Sequence, residues 1–256
     1  MGGLALNDAG SFGNPHLASC PRLDHNRTMS ENPPPQPPPS WRAWIIWGLG
    51  ASLFFYGFLQ RTALSIMVPD LMRDFQVNAL SLGGLSAFYF YAYMAVQIPT
   101  GLMTDRLGPR RLLSVAALIS AIGVLIFANA DTLGIAGGGR LLVGAGAGFS
   151  FICTLRIATD WFPPQRLALL SGMTMMMGMV GGVVGQAPLS LLVAEIGWRS
   201  AMSGISVIAL LIAVGTWFLA SDQRPNHNET AHKTPSMFGG LKVALAHPQT
   251  WAVAGF

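Results

Sequence analysis

Six long apolar runs constrain the fold of this chain more than any other feature. Each run is continuous and matches the roughly 20 residues that an α-helix needs to cross ~30 Å of hydrocarbon. Transmembrane β-strands would be about ten residues long and would alternate apolar and polar side chains. The runs therefore predict an all-α membrane protein with six transmembrane helices, here called spans 1 to 6. These spans are residues 44–68, 80–103, 112–130, 134–158, 167–192 and 199–220.

The remaining composition argues against several other classes of protein. Only 10% of the residues are charged, against about 25% in soluble domains. The sequence has no G-x-x-x-x-G-K-[ST] phosphate loop, no cluster of metal ligands and no catalytic Ser/His/Asp set. We therefore expect no enzyme, no cofactor and no bound metal. The net charge of +4 is spread over short loops, which does not favour nucleic acid as a partner.

The distribution of Lys and Arg predicts the orientation of the spans, because cytoplasmic loops retain basic residues. The segments on the same side as the N-terminus carry Arg42, Arg106, Arg110, Arg111, Arg166, Arg224, Lys233 and Lys242. The opposite loops carry only Arg73 and Arg199. We therefore expect a cytoplasmic N-terminus, in a lipid bilayer that we take to be a bacterial inner membrane.

The segments outside the spans predict a divided chain. Residues 1–40 are polar and end in a proline-rich stretch, which favours a disordered cytoplasmic tail. Residues 41–220 form the six-helix bundle, and residues 221–249 have the composition of a cytoplasmic linker. Residues 250–256 begin another apolar run, which we expect to be the truncated start of a seventh helix. A C-terminal six-helix half would then be absent from this chain; a stub at the membrane interface is the alternative.

The loop between spans 2 and 3 carries a spaced pattern of charge and glycine, G-x-x-x-D-R-x-G-x-R-R. Its members are Gly101, Asp105, Arg106, Gly108, Arg110 and Arg111. This pattern resembles the signature loop of the major facilitator superfamily, although Pro109 stands where that family often has a basic residue. The resemblance implies a twelve-helix fold, of which this chain is the first half. It also implies that the loop is a conformational latch between two bundles; a plain orientation signal is the alternative.

Two charged residues at the end of span 4 resemble a further part of the latch. Arg156 and Asp160 stand just before the run "WFPPQR", which is similar to the family's loop between helices 4 and 5. Arg156 can reach Asp105 across the bundle, or it can pair with Asp160 at i,i+4 spacing. The sequence leaves both interpretations open.

Two arginines lie well inside spans, where a charge costs ~2.5–3.5 kcal/mol on insertion scales and indicates function. Arg61 lies seven residues from the outer end of span 1, and Arg140 lies six residues from the outer end of span 4. At about 1.5 Å per residue, both lie about 10 Å below the outer surface. In the fold that the resemblance implies, spans 1 and 4 both line the central cavity, so we expect the two guanidiniums to share it. No Asp, Glu or Lys lies well within a span to neutralise them, so we expect the pair to bind an anion. Snorkelling to the interface is the alternative; in the family, the arginine at the Arg140 position is associated with proton coupling or substrate charge.

Polar side chains recur at spacings of three and four residues, which places them on one face of a helix. Span 2 carries Ser86, Tyr89, Tyr93 and Gln97, and span 1 adds Tyr56 and Gln60. These side chains are candidates for substrate binding. Hydrogen bonds between packed helices explain them equally well.

Small residues predict where helices approach closely. Span 4 has Gly144, Gly146 and Gly148. Span 5 has two glycine pairs at four-residue spacing, Gly178 with Gly182 and Gly181 with Gly185. The glycines of span 5 also resemble the antiporter motif of drug exporters, but Gln186, Leu189 and Ser190 depart from that motif. A faint echo of "DRLGPR" in "EIGWR", on the opposite side of the membrane, indicates a 3+3 inverted repeat of the spans.

The runs "RTALSIMVPDLMRDF" and "QIPTGLMTDRLGPRR" are most similar to the anion:cation symporter-like branch of the superfamily. This resemblance implies a secondary active transporter that moves a small solute, an organic anion, together with protons by alternating access. Two alternatives remain. One is export of drugs or metabolites by proton antiport, and the other is a truncated membrane fragment that does not transport.

Overall fold

The structure is a computed structural model that describes residues 41–219. The helices are α1 Trp41–Ile66, α2 Val68–Phe75, α3 Ala79–Leu107, α4 Pro109–Ala128, α5 Leu133–Trp161, α6 Leu167–Val184, α7 Ala187–Ile196 and α8 Trp198–Leu219, with a 3-10 turn at Pro164–Arg166. The predicted N-terminal tail, the linker and the start of a seventh helix lie outside the described residues.

Six helical segments of the described part are long and apolar enough to cross a membrane. Spans 1, 2, 3, 4 and 6 correspond to α1, α3, α4, α5 and α8, and span 5 is Pro164–Ile196, which contains α6 and α7. The predicted all-α membrane architecture with six spans is confirmed.

Span 5 differs from its prediction as one continuous helix, because the structure divides it at Gly185 and Gln186. Gly185 lies against α1, where an added Cβ would come within 2.7 Å of the backbone oxygen of Leu59. Pro188, in the first turn of α7, has no N–H to donate to the preceding helix. The close approach and the missing donor together explain the break.

A short helix that the sequence patterns do not predict follows span 1. α1 ends at Ile66, and the chain bends at Met67 before α2 begins, with Pro69 in its first turn. Met67 and Leu71 are both fully buried. These two side chains anchor α2 against the end of the bundle.

The helix pairs follow the predicted inverted repeat. The first repeat is α1, α3 and α4, and the second is α5, α6 with α7, and α8. α1 packs on α6 as α5 packs on α3, so each repeat's first helix contacts the second helix of the other repeat. The third helices, α4 and α8, pack on each other. This exchange of partners is what two copies of a three-helix unit related by a two-fold axis require.

Two glycine turns repeat the same backbone geometry at opposite ends of the bundle. Gly108 precedes α4 with φ 79° and ψ 151°, and Gly197 precedes α8 with φ 81° and ψ 156°. A side chain is strained at such a positive φ, which only glycine adopts readily. We call the end that contains Gly108 the loop end and the end that contains Gly197 the far end.

An arginine two residues after each glycine contacts the last carbonyls of the other repeat's third helix. At the loop end, Arg110 Nε donates to the backbone oxygen of Trp217 at 3.1 Å. At the far end, Arg199 Nη1 donates to the backbone oxygen of Ala128 at 3.0 Å. The echo between "DRLGPR" and "EIGWR" thus corresponds to two matching contacts.

α5 lies at the centre of the bundle and contacts α1, α3, α4 and α6. A Cβ at Gly144 would overlap the backbone of Tyr89, and one at Gly146 would overlap the backbone of α4. A Cβ at Gly148 would lie 3.1 Å from the backbone oxygen of Tyr93. The three glycines therefore let α3 and α4 approach α5 at backbone distance.

The glycines of α6 face α1 to different degrees. A Cβ at Gly178 would lie 2.6 Å from the ring of Phe54, whereas one at Gly182 would meet Thr62 at an ordinary 3.8 Å. The preceding residue, Gly181, packs more closely on α1, because a Cβ there would overlap the backbone of α1. Gly182 contributes a backbone contact instead, because its oxygen accepts a hydrogen bond from Thr62 Oγ1 at 3.1 Å.

Candidate functional site

A cavity lies between α1, α3 and α5. It is lined by Phe54, Gly57, Phe58, Arg61, Tyr89, Phe90, Tyr93, Ala147 and Ser150. Ala147 is the central residue of α5, so the cavity lies at about half the depth of the bundle.

Arg61 is the cation of this cavity. Its guanidinium carbon lies 4.8 Å from the ring centroid of Phe90 and 5.7 Å from that of Phe58. Phe58 stands one helical turn before Arg61, so the same face of α1 presents both side chains. Within residues 41–219, Arg61 forms no ion pair. Its guanidinium makes cation–π contacts with two aromatic rings, which leave the charge available to an anion.

Tyr89 and Tyr93 form the wall that α3 contributes. Their rings, one turn apart, stack with centroids 6.2 Å apart. The Tyr89 hydroxyl donates to the backbone oxygen of Gly57 at 3.1 Å. Tyr89 therefore lines the cavity and also joins α3 to α1, so both interpretations of the polar stripe apply to this residue.

Arg140 lies behind that wall. Its side chain is only 2% exposed, and Nη1 donates to the backbone oxygen of Gln60 at 3.0 Å. The guanidinium carbon lies 5.1 Å from the ring centroid of Tyr89 and 5.8 Å from that of Phe127. Its Nε has no hydrogen-bond partner among the described residues. The expectation that the two guanidiniums share one cavity is not met, because Arg140 points from α5 between α1, α3 and α4.

Tyr56 and Gln60 belong to the layer around Arg140. Gln60 Nε2 donates to the Tyr56 hydroxyl at 3.0 Å, and both residues are buried. Neither lines the cavity, so they support the wall from behind. Gln97 is exposed two turns beyond Tyr89 on α3, and it does not line the cavity either.

Three phenylalanines and one serine of the lining were not among the residues that the sequence singles out. They are Phe54, Phe58, Phe90 and Ser150. In a membrane span an apolar side chain has no polarity contrast that separates a cavity wall from a lipid-facing surface. The one available signal was the spacing of Phe54 and Phe58, which places both on the helix face of Arg61.

The loop end brings three of the predicted latch residues together. Arg156 Nη1 lies 3.3 Å from Asp105 Oδ1, and Arg156 Nε lies 3.4 Å from Asp160 Oδ2. Arg156 therefore makes both of the contacts that the sequence left open, and it joins the ends of α3 and α5. Arg106 and Arg111 are exposed, and a Cβ at Gly101 would meet nothing within 4 Å in the described part of the chain.

The far end has a cluster that the sequence analysis did not single out as a site. Trp198 Nε1 donates to Asp74 Oδ2 at 2.9 Å, and Arg199 Nε lies 3.6 Å from the same oxygen. Arg199 Nη1 also donates to the backbone oxygens of Ala128 and Ala130. This cluster ties α2, the end of α4 and the start of α8 to one another.

The fold and the site define a helical multi-pass membrane protein with an inverted repeat, a cation in a mid-depth cavity and a charged loop between spans 2 and 3. A family model described as Major Facilitator Superfamily matches residues 49–256. The chain belongs to this superfamily.

Named relatives and a solved structure agree with this assignment. The chain is 26% identical over 72% of its length to a probable sulfoacetate transporter, SauU, of Cupriavidus necator, and 27% identical over 70% to a hexuronate transporter of Bacillus subtilis. It spans 43% and 42% of the length of these two proteins. The crystal structure of a bacterial homologue of the human lysosomal transporter Spinster, inward-facing and unoccupied, matches 83% of this chain and 51% of that one, with a TM-score of 0.67 and 18% identity. This last likeness concerns the fold alone.

Proposed function

We propose that the natural protein containing this chain is a secondary transporter that takes up a small organic anion together with protons. The observation that carries this proposal is Arg61, a cation in the wall of a mid-depth cavity without an ion-pair partner among the described residues. The relatives named as sulfoacetate and hexuronate transporters support it, because both named solutes are anions.

Arg61 is the proposed anion ligand. A guanidinium presents a planar fork that matches a carboxylate or a sulfonate, and such charge-assisted pairs are stronger than neutral hydrogen bonds. The aromatic faces of Phe58 and Phe90 hold the guanidinium without neutralising it. An anion that enters the cavity would form an ion pair with Arg61.

Arg140 has a proposed supporting role. It lies against the ring of Tyr89, which lines the cavity, and against Gln60 of α1. Its buried charge raises the positive potential on the cavity side of Tyr89 and holds this tyrosine in place. Tyr56 and Gln60 then act as positioning residues, and Tyr93 remains a candidate for direct contact.

The proposed proton acceptor lies outside residues 41–219. The acidic residues of this part stand at helix ends and in connections: Asp70, Asp74, Asp105, Asp131, Asp160 and Glu195. None of them lines the cavity. A carboxylate from another part of the natural protein is therefore the simplest carrier of the coupled proton.

Alternating access is proposed to occur between this bundle and a second one. Only 17% of the apolar window of α3 and 22% of that of α6 and α7 is buried, against 61% for α1. These symmetry-related spans offer the surface on which a second bundle would rock. The pairs of Arg156 with Asp105 and Asp160 are the proposed latch at the cytoplasmic face, which makes the loop end cytoplasmic in a bacterial inner membrane.

Uptake by proteoliposomes tests the proposal. The natural protein should accumulate at least one labelled anion from a panel of sulfoacetate, glucuronate and phenylacetate when an inward proton gradient is imposed. Arg61→Ala should weaken uptake about 10- to 150-fold, which corresponds to the ~1.5–3 kcal/mol of a hydrogen bond to a charged group. Arg61→Lys should retain part of the activity, because it keeps the charge and loses the fork.

Arg73→Ala is the matched control, since Arg73 is an exposed arginine on α2 that does not line the cavity. It should leave uptake unchanged. Extrusion of lipophilic cations without any anion uptake would instead support export by proton antiport. Equal uptake by the Arg61→Ala protein would contradict the role of Arg61.

A further inference from the structure

The cavity wall is rich in aromatic side chains. Five of its nine lining residues carry an aromatic ring, from Phe54 and Phe58 on α1 to Tyr89, Phe90 and Tyr93 on α3. Phe54 and Phe58 meet edge to face at 5.0 Å, and Tyr89 and Phe90 do so at 5.4 Å. Aromatic rings from two different helices therefore line the site.

Two of the polar side chains in the wall already donate hydrogen bonds within the protein. The Tyr89 hydroxyl donates to the backbone oxygen of Gly57. The Ser150 hydroxyl donates to the backbone oxygen of Ala147 at 2.7 Å. Among the described lining residues, the guanidinium of Arg61 and the hydroxyl of Tyr93 remain as donors for a solute.

Resting on the proposed anion transport, we propose that the solute is an anion with an apolar, ring-shaped body, such as an arylacetate, and not a polyhydroxylated sugar acid. The carboxylate pairs with Arg61, and the ring lies between the aromatic side chains of α1 and α3. A ring gains from edge-to-face and stacked contacts of this kind and from the burial of its apolar surface.

A sugar acid of the same size has no comparable set of partners in this wall. Each hydroxyl that leaves water needs a hydrogen-bond partner, and an unsatisfied one weakens binding about 5- to 150-fold. The carboxylate occupies the Arg61 fork, the hydroxyls of Tyr89 and Ser150 can each accept from a sugar hydroxyl but not donate, and the Tyr93 hydroxyl is the remaining donor of the described lining. These groups are fewer than the hydrogen bonds that the several hydroxyls of a sugar acid make in water. The chain thus differs in preference from its relative that is named as a hexuronate transporter.

Phenylacetate and glucuronate form a matched pair of probes, since each combines one six-membered ring with one carboxylate and only glucuronate carries ring hydroxyls. The two are compared as ligands of the purified natural protein by thermal shift, and as competitors in proteoliposome uptake. We expect phenylacetate to bind at least tenfold more tightly than glucuronate. Cyclohexylacetate, which is apolar but not aromatic, should fall between them.

Aromatic variants separate the wall from the charge. Phe58→Leu and Phe90→Leu keep most of the apolar volume, lose the ring and also lose a face that contacts the Arg61 guanidinium. They should therefore weaken both anions, and weaken phenylacetate about three- to tenfold more than glucuronate. Tyr91→Leu is the control, because Tyr91 follows Phe90 on α3, is 62% exposed and does not line the cavity. The thermal midpoint without ligand shows whether each variant is folded.

Glucuronate binding as tight as that of phenylacetate, with sensitivity to Arg61→Ala, would overturn this inference and leave anion transport standing. If no anion shifts the thermal midpoint or is taken up, in the parent protein as in Arg61→Ala, the inference and the proposed function are both overturned. Preference for phenylacetate that survives both leucine variants would also contradict it, because the aromatic wall would then not be its cause.

Discussion

Arg61 and Arg140 have the same charge and opposite surroundings. Arg140 is buried, and its charge is stabilised by the backbone oxygen of Gln60 and by two aromatic faces. Among residues 41–219, Arg61 has aromatic contacts alone, and it stands in the cavity wall. A buried charge needs partners that stay in place, whereas a ligand-binding charge needs partners that a solute can join. The two residues are therefore suited to different tasks.

At the residue scale, Gly144 is a position where an added methyl group should lower the stability of the fold. A Cβ there would overlap the backbone of Tyr89, which cannot move aside as a flexible side chain can. Gly144→Ala should destabilise the protein by about 1–3 kcal/mol, the usual cost of overpacking. It should also weaken anion uptake, because Tyr89 lines the cavity. Thermal unfolding in detergent measures the first effect and proteoliposome uptake the second.

Gly138→Ala is the comparison for this substitution. Gly138 lies on the same helix, and a Cβ there would meet nothing within 4 Å among the described residues. Its stability should stay within about 0.5 kcal/mol of the parent protein. Equal effects of the two alanines would contradict close packing as the reason for Gly144.

At the element scale, the two ends of the bundle share one type of contact, between an arginine and the last carbonyls of a helix. A cation near the C-terminus of a helix interacts favourably with the helix dipole and with the last carbonyls. Arg110 does this for α8, and Arg199 does it for α4. Since α4 and α8 are the third helices of the two repeats, the contacts join the repeats at both membrane faces.

Arg199→Ala should destabilise the bundle by about 1–2 kcal/mol, because it removes a cation from the end of α4 and leaves Asp74 with Trp198 alone. Arg199→Lys should recover part of the loss, since it keeps the charge. Thermal unfolding at two salt concentrations measures both, and the difference should shrink at high salt.

Arg166→Ala serves as the reference for the loss of a surface arginine, because Arg166 is exposed in the 3-10 turn. It should unfold like the parent protein. A midpoint for Arg199→Ala that matches that of Arg166→Ala at both salt concentrations would show that the far-end cluster does not stabilise the fold.

At the scale of the whole molecule, the loop-end ion pairs are expected to bias the two access states. Asp105 and Arg156 are both partly exposed, so their pair is worth roughly 0.2–1 kcal/mol. Asp105→Asn should therefore shift the ratio of outward-open to inward-open protein about 1.5- to fivefold toward inward-open. Arg156 keeps Asp160 as a partner, so the fold should remain stable.

Thiol labelling measures this shift in a variant with cysteines only at chosen positions. Ser150→Cys in the cavity wall should react less from the outside, and more from the cytoplasm, when Asp105 is replaced. Asp131→Asn, an exposed acidic change at the far end, should have no such effect. An exposed Arg166→Cys reports the orientation, because an impermeant reagent should reach it only from the cytoplasmic side.

The structure can be divided into features that follow from the chain locally and features that follow from packing. The six spans, the charged loop and the echo around Gly108 and Gly197 were predictable, because run length, charge and glycine are properties of single segments. The break in span 5 was not, because a proline in a membrane span can also lie within a continuous helix, as Pro99 does in α3. Neither Pro188 nor the glycine spacing therefore decides by itself whether the helix ends at Gly185.

The sequence by itself determined how many helices cross the membrane and where their charges lie, because a bilayer imposes length and hydropathy on each segment separately. Only the tertiary structure decided which faces turn inward. In an apolar span the rotation about the helix axis is set by neighbouring helices, so depth along the axis could not separate Arg61 from Arg140. For the same reason, Phe54, Phe58 and Phe90 became recognisable as a cavity wall only once α1, α3 and α5 were packed together.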